Sequence, residues 1–253
     1  MVRGIEIFKK HFKGYAGQYV FIGGTACDII LGRLGIDFRV TKDLDMVLLI
    51  EALDGKFVED FISFIEEGGY QHVKKGTSQN QFYRFEKPKF SQFPYMIELF
   101  SRKPDSLLEF DIRLAPVYVS ENVVSLSAIL LDEEYYILLK DGIVEIDEVS
   151  VLDLEYIVLF KMKAWLDLSA RKAAGEEIDS KNIKKHKNDV LRLAANIDND
   201  VRVPIADTVK KDAKLFMEEA EKTPVDLKSL GIKNATYEEI LRVIYRCYEI
   251  EGE

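Results

Sequence analysis

The spacing of apolar residues changes near residue 150, and this change is the feature that most restricts the possible folds. Before it, short runs rich in β-branched and aromatic residues alternate with helical segments. After it, apolar residues recur at helical spacing in four long segments that no proline interrupts. The sequence therefore predicts an α+β fold: a mixed β-sheet flanked by helices over residues 1–150, an all-helical lobe over residues 151–253, and a groove between them as the default site.

The periodicity of apolar residues and the glycines that end each run predict the individual helices and strands. Helices are predicted at residues 5–12, 25–34, 57–67, 152–168, 180–196, 206–221 and 237–251. Strands are predicted at residues 19–22, 46–50, 70–73, 81–85, 95–100, 117–119, 135–139 and 143–146.

Composition excludes several classes of protein. The chain contains no uncharged apolar run near the roughly 20 residues that a membrane span needs, and its first residues carry charges where a secretory signal has its apolar stretch. We therefore expect a cytoplasmic protein without a membrane partner. The two cysteines, Cys27 and Cys247, lie in apolar helical patterns and are predicted to be reduced core thiols.

Net charge restricts the contacts with nucleic acid. A formal charge of −9 argues against broad, non-specific binding to DNA or RNA, because such binding depends on basic side chains. A local basic segment, residues 181–187 followed by Arg192, is a candidate for contact with an RNA backbone. The alternative is that this segment is a solvated helix end.

Two acids, Asp43 and Asp45, come directly before a strand that is predicted to be buried. Acid-x-acid triplets arise often by chance in a chain with 44 Asp and Glu among 253 residues, so context has to distinguish Asp43-Leu44-Asp45. Carboxylates two residues apart in a strand emerge on the same face of the sheet. Two buried like charges are unfavourable without a cation, and hard oxygen ligands suit magnesium.

A glycine pair precedes these acids. Gly23, Gly24 and Thr25 lie where a predicted strand turns into a helix. Such a turn offers closely approaching backbone, free amide donors and the positive end of a helix dipole, all of which a triphosphate needs. Tight turns of every kind also use glycine pairs, so the pair indicates a phosphate site only in combination with the acids.

The combined pattern resembles a known family. Residues 21–26, Phe-Ile-Gly-Gly-Thr-Ala, followed by Thr-Lys-Asp-Leu-Asp at 41–45, are similar to the signature of polymerase-β-like nucleotidyltransferases, in particular of AbiEii-type proteins. In that family the motif continues from Gly-Gly-Thr-Ala through a helix and a basic residue to Asp-Leu-Asp-Leu; here Arg39 and Lys42 occupy the basic stretch. The resemblance implies the nucleotidyltransferase type of sheet.

The resemblance also implies a set of site residues. Asp43 and Asp45 would bind two magnesium ions, and Gly23, Gly24, Thr25 and Lys42 would contact the nucleotide. An acid on a later strand completes the metal set in this family. By position this acid is Glu98, with Glu109 or Asp111 as alternatives.

A second part of the resemblance lies in the helical lobe. AbiEii-type chains carry a Lys-x-x-Ala helix and then a helix containing Lys-Asp. The corresponding residues here are Lys161, as the contact to the nucleotide phosphate, and Asp189, as its partner. The chain departs from the pattern in two ways, since Asn188 separates Lys187 from Asp189 and Arg192 replaces a second acid. Surface lysines and a helix ion pair are the alternative interpretation.

The expected activity is transfer of a nucleoside monophosphate from a nucleoside triphosphate to an acceptor hydroxyl. The resemblance implies a toxin of a toxin–antitoxin pair, with tRNA or another RNA as acceptor and a separately encoded antitoxin as partner. A small hydroxylated acceptor, as for antibiotic-modifying nucleotidyltransferases, is an alternative that the acidic net charge favours. A catalytically silent nucleotide-binding module is a third, and fold alone does not separate the three.

Overall fold

The structure is a computed structural model that describes residues 2–38, 41–49, 51–72, 82–101, 129, 130 and 132–250. The predicted strand at 117–119, the basic residue Arg39 and the alternative acids Glu109 and Asp111 lie outside the described residues. The chain divides into two compact units: Met1–Ser120 with Ile143–Asp153, and Glu121–Gly142 with Leu154–Glu253. Glu121–Gly142 thus groups with the second unit, although the following segment, Ile143–Asp153, belongs to the first.

The first unit combines a sheet with helices. Its helices are α1 (Ile5–His11), α2 (Gly23–Arg33) and α3 (Gly55–Gly68), with a short 3-10 helix at Ala16–Gln18. Its strands are β1 (Tyr19–Phe21), β2 (Asp43–Leu48), β3 (Gln71–His72), β4 (Phe82–Glu86), β5 (Met96–Ser101), β6 (Ile143–Ile146) and β7 (Val149–Leu152).

Local chemistry explains the bounds of α3. Asp54 caps its first turn by accepting a hydrogen bond from the Phe57 amide. Gly69 ends the helix in the left-handed conformation that residues with a Cβ atom rarely adopt.

The described strands form one mixed sheet in the order β3-β4-β5-β2-β1-β7-β6. β2 is parallel to β5 and antiparallel to β1, while β1 is parallel to β7. The register places Asp45 opposite Glu98 and, one residue earlier, Leu44 opposite Ile97. The mixed sheet with flanking helices predicted from the sequence is confirmed.

Aromatic residues cover one face of this sheet. Phe61 of α3 contacts Phe85 of β4, which pairs with Ile97. Phe8 and Phe64 are fully buried and lie with ring centroids 5.7 Å apart. Because side chains alternate along a strand, Asp45 and Glu98 project from the opposite face. The aromatic cluster and the two acids thus lie on opposite faces of the sheet.

The second unit is helical. Its helices are α4 (Glu133–Asp141), α5 (Leu154–Ala173), α6 (Ser180–Ala194), α7 (Asp207–Lys222) and α8 (Tyr237–Cys247), with a short 3-10 helix at Leu227–Leu230. α5 packs against α6 and α7, so the predicted all-helical C-terminal lobe is confirmed. Among the described residues, no helix is long and apolar enough to cross a membrane.

Among the differences from the prediction, one concerns the type of an element and one the start of a helix, and the reasons are local. Residues 135–139, predicted as a strand from their aromatic and branched side chains, form part of α4, because Asp132 caps a helix there by accepting from the amides of Glu134 and Tyr135. Leu152 ends strand β7 instead of beginning a helix, and α5 begins at Leu154.

Candidate active site

Asp43 and Asp45 begin strand β2. They are the first and third residues of the strand, so both side chains lie on the face opposite the aromatic cluster, and both are half-buried. Their neighbours Leu44 and Met46 are fully buried. The strand therefore holds two carboxylates two residues apart at its beginning.

Glu98 lies directly across from Asp45 on strand β5. Glu98 is 7% exposed. Burial, and then the charge of Asp45, raise the pKa of Glu98 above its ordinary value. Two acids distant in sequence thus meet on one face of the sheet.

Arg84 is a residue that the sequence reasoning missed. It lies on β4 opposite Glu98, and its Nε and Nη2 donate to Oε1 of Glu98 at 2.9 and 2.5 Å. The sequence does mark Arg84 as unusual, because it is the one charged residue within the aromatic segment Phe-Tyr-Arg-Phe. Only the register of β4 with β5 reveals which acid it contacts.

The glycine turn is attached directly to the acids. Helix α2 begins at Gly23, two residues before the predicted start, so both glycines lie in its first turn. The Gly24 amide donates to Oδ2 of Asp45 at 3.4 Å, and the buried Thr25 hydroxyl donates to the carbonyl of Asp43 at 2.7 Å. The structure thus brings Gly23, Gly24 and Thr25 together with both acids.

Lys42 precedes the first acid and is exposed. Its Nζ lies 5.8 Å from the ring centroid of Tyr95, whose side chain is itself exposed. Tyr95 immediately precedes Met96, which pairs with Asp43, so this cation–aromatic pair lies at the ends of the two acid-bearing strands.

Lys161 and Asp189 form a buried ion pair in the second unit. Lys161 Nζ on α5 lies 3.1 Å from Asp189 Oδ2 on α6, and the Asp189 side chain is fully buried. Arg192 approaches the other oxygen of Asp189 at 3.6 Å. The arginine that departs from the family pattern therefore supplies a second cation to Asp189.

The basic segment 181–187 is less open than predicted. Lys187, at its end, is buried and donates from Nζ to the carbonyl and hydroxyl oxygens of Thr223. Burial lowers its pKa. Lys181 and Lys184 remain exposed. Lys187 thus anchors the end of α7 and is not available to an RNA backbone.

The carboxylate groups of the candidate site are chemically suited to bind a divalent cation. Carboxylate oxygens are the ligands that magnesium prefers, and a cation relieves the repulsion between two carboxylates that face each other on paired strands. In the part of the chain that the structure describes, however, no three or more His, Cys, Asp or Glu side chains converge to hold a metal ion. One oxygen of Glu98 is already occupied by Arg84.

Comparison with known protein families shows to which family the chain belongs. Residues 10–244 match the model of the nucleotidyl transferase AbiEii toxin family of the type IV toxin–antitoxin systems. The chain belongs to this family. The AbiEii match spans both units, which agrees with the resemblance seen in the Gly-Gly-Thr-Ala and Asp-Leu-Asp segments and in the helical lobe.

Other comparisons add little to the AbiEii assignment. No curated protein matches the chain. A similar solved structure is that of an antigenic nucleotidyltransferase-like protein from Paracoccidioides brasiliensis, 14% identical, with 93% of this chain and 94% of that chain covered and a TM-score of 0.42.

Membership of the AbiEii family confirms the family prediction and the nucleotidyltransferase type of fold. It also supports transferase activity with a nucleoside triphosphate as substrate and an antitoxin as partner. The individual site residues stay predictions.

Proposed function

We propose that this AbiEii-family protein is a magnesium-dependent nucleotidyltransferase that moves a nucleoside monophosphate from a nucleoside triphosphate to a hydroxyl group of RNA, with tRNA as the first candidate. The observation that carries the proposal is the row formed by Asp45 and Glu98 beside the glycine turn of α2. The row joins carboxylates, which bind cations, to backbone amides, which bind phosphate.

The reaction exchanges one phosphate ester bond for another. The acceptor hydroxyl oxygen forms a bond to the α-phosphorus, the bond from that phosphorus to the bridging oxygen breaks, and pyrophosphate leaves. The hydroxyl proton passes to a carboxylate, for which Glu98 is the candidate because it lies beside Asp45 on the paired strand. The residues that would hold two magnesium ions are Asp43, Asp45 and Glu98, and the ions supply charge stabilisation for the attacking and leaving oxygens.

The remaining residues bind and orient the nucleotide. Gly23, Gly24 and Thr25 receive the triphosphate at the beginning of α2, where the helix dipole favours anions. Lys42 offers an exposed ammonium near the first acid. For Lys161 a phosphate contact, with Asp189 as its partner, stays a prediction from the family resemblance.

The acceptor and the partner are proposed from the family. The toxin–antitoxin description supports an antitoxin that relieves the effect of the protein. The resemblance to AbiEii-type toxins is the basis for proposing RNA in the cytoplasm as the target. The net charge of −9 favours the second candidate, a small cationic hydroxylated acceptor of the antibiotic type.

The test is label transfer. The protein is incubated with total RNA, or with an aminoglycoside, and with each α-labelled nucleoside triphosphate in turn, with magnesium or with EDTA. We expect magnesium-dependent label in RNA from the wild type, and a loss of at least about a thousandfold in Asp45→Asn. Glu59→Gln, which changes an exposed acid of the same unit, is the matched control.

Each other outcome contradicts part of the proposal. Undiminished transfer by Asp45→Asn overturns the assignment of the acids. Label in the aminoglycoside and none in RNA overturns the acceptor. Magnesium-dependent nucleotide binding without transfer to either acceptor indicates the silent module.

A further inference from the structure

Three charged residues follow one another across neighbouring strands. In the row Arg84–Glu98–Asp45, β4 contributes the arginine, β5 the glutamate and β2 the aspartate. All three project from the face opposite the aromatic cluster, because directly paired residues share a face. Glu98 therefore has a cation on one side and a carboxylate on the other.

The contact of Arg84 with Glu98 is tightly constrained. Nε and Nη2 both donate to the single oxygen Oε1, at 2.9 and 2.5 Å. The two side chains are 17% and 9% exposed, so water screens the pair only weakly. A planar guanidinium that holds one oxygen through two N–H groups restricts both the position and the rotation of the carboxylate.

Stability alone is a weak reason for such a pair. Replacing a buried ion pair with apolar residues of similar volume is often neutral or stabilising. The neighbours of Arg84 in β4 include the buried Phe85, and an apolar residue would suit this strand well. A functional reason for the ion pair is suggested by Asp45, which lies on the other side of Glu98.

We propose that Arg84 is a positioning residue, which holds the Glu98 carboxylate against Asp45 so that the two acids present oxygen ligands to one divalent cation. This inference rests on the proposed function, since it assigns to Asp45 and Glu98 a shared cation. Arg84 itself touches neither the cation nor the substrate in this role and acts through Glu98.

The sign of the effect separates positioning from simple electrostatics. A positive charge next to a cation site repels the cation, so removing it should tighten binding if charge alone mattered. If Arg84 fixes a ligand, removing it should weaken binding, as loss of a group that orients a metal ligand does by about tenfold to a hundredfold.

The experiment measures binding of Mn²⁺ to the full chain, without nucleotide, from the electron paramagnetic resonance signal of the free ion. Arg84→Met keeps much of the side-chain volume and removes both donors. We expect it to weaken Mn²⁺ binding about tenfold. Arg33→Met removes an equal charge from an exposed position of the same unit and should leave binding unchanged.

A double-mutant cycle shows whether Arg84 acts through Glu98. Glu98→Gln should weaken Mn²⁺ binding by itself, and adding Arg84→Met to it should weaken binding no further, because the carboxylate that the arginine positions is already lost. Arg84→Lys, which keeps the charge but not the two-donor fork, should bind Mn²⁺ more weakly than wild type and more tightly than Arg84→Met.

The outcomes distinguish the inference from the proposed function. Unchanged or tighter Mn²⁺ binding in Arg84→Met, or losses that add in the double variant, overturn the role of Arg84 and leave the site of Asp45 intact. Undiminished Mn²⁺ binding in Asp45→Asn overturns the metal site of the proposed function itself. Should Arg84→Met fail to fold, wild-type Mn²⁺ affinity in Arg84→Lys is the result that refutes the inference.

Discussion

Gly23 lies so close to Asp45 that a Cβ atom at Gly23 would stand 2.3 Å from Oδ2 of that carboxylate. Its φ of +61° is also one that residues with a Cβ atom rarely adopt. Gly23→Ala should therefore displace the Asp45 carboxylate and lower label transfer at least about a hundredfold, since a shift of about 1 Å in a catalytic group has an effect of this size.

Gly35→Ala is the control for Gly23→Ala. Gly35 has a φ of +72° but nothing within 4 Å of an added Cβ atom. Both variants should lose about 1–2 kcal/mol of unfolding free energy from backbone strain, and only Gly23→Ala should lose activity. Equal activities of the two variants would show that the contact between Gly23 and Asp45 is irrelevant to the reaction.

The ion pair of Lys161 with Asp189 predicts an asymmetry in stability. In Lys161→Met, the buried Asp189 keeps Arg192, 3.6 Å away, as a second cation. In Asp189→Leu, the ammonium of Lys161, which is 9% exposed, loses this carboxylate. We expect Asp189→Leu to lower the unfolding free energy by about 3–5 kcal/mol and Lys161→Met by less.

Urea denaturation followed by tryptophan fluorescence measures this asymmetry, because Trp165 is the only tryptophan and lies on α5, one turn after Lys161. Lys210→Met, at a partly exposed position on α7, controls for the loss of a lysine. A larger loss in Lys161→Met than in Asp189→Leu would contradict the compensating role of Arg192.

Asp212 joins three helices of the second unit. Its Oδ2 accepts from Lys163 of α5 at 2.6 Å and from the hydroxyl of Tyr135 of α4 at 3.1 Å. Asp212→Ala removes the acceptor of the buried Tyr135 hydroxyl. We therefore expect the unfolding free energy, measured by urea denaturation, to fall by about 2 kcal/mol. In a Tyr135→Phe background the same change should be less harmful, and an equal loss in both backgrounds would exclude this hydrogen bond as a source of stability.

The thiol of Cys247 predicts a pH dependence of stability. Burial, and then the charge of Glu155, raise its pKa from the ordinary value of 9.0 to about 12. The folded state keeps this proton where the unfolded state releases it. The contribution is therefore complete below pH 9 and decreases as the pH rises towards 12, with a limiting slope of about 1.4 kcal/mol per pH unit.

Comparison with Cys247→Ala isolates this contribution. The stability advantage of the wild type over the variant, measured by urea denaturation, should shrink between pH 8.5 and 10.5, by up to about 1.4 kcal/mol per pH unit. At pH 8 neither buried cysteine should react with a disulfide reagent until the protein is denatured. A constant advantage across this pH range would refute the raised pKa.

Sequence reasoning predicted the local structure around the candidate site where the pattern is local. The strand before Gly23, the helix after it and the two acids of β2 all follow from spacing within about ten residues. The same reasoning erred at residues 135–139, where aromatic and branched side chains favoured a strand and the cap at Asp132 favoured a helix. Asp132, followed by two acids, is a helix-start signal in the sequence itself.

The sequence by itself determined most of the helices, the two acids at the beginning of β2 and the membership of a nucleotidyltransferase family, because periodicity, turn chemistry and short motifs depend on neighbouring residues. Only the tertiary structure decided that Glu98 meets Asp45, that Arg84 holds Glu98 and that Lys187 is buried against Thr223. Those contacts join residues 14 to 53 positions apart along the chain. Strand register and helix packing create them, and both depend on how the whole chain buries its apolar surface.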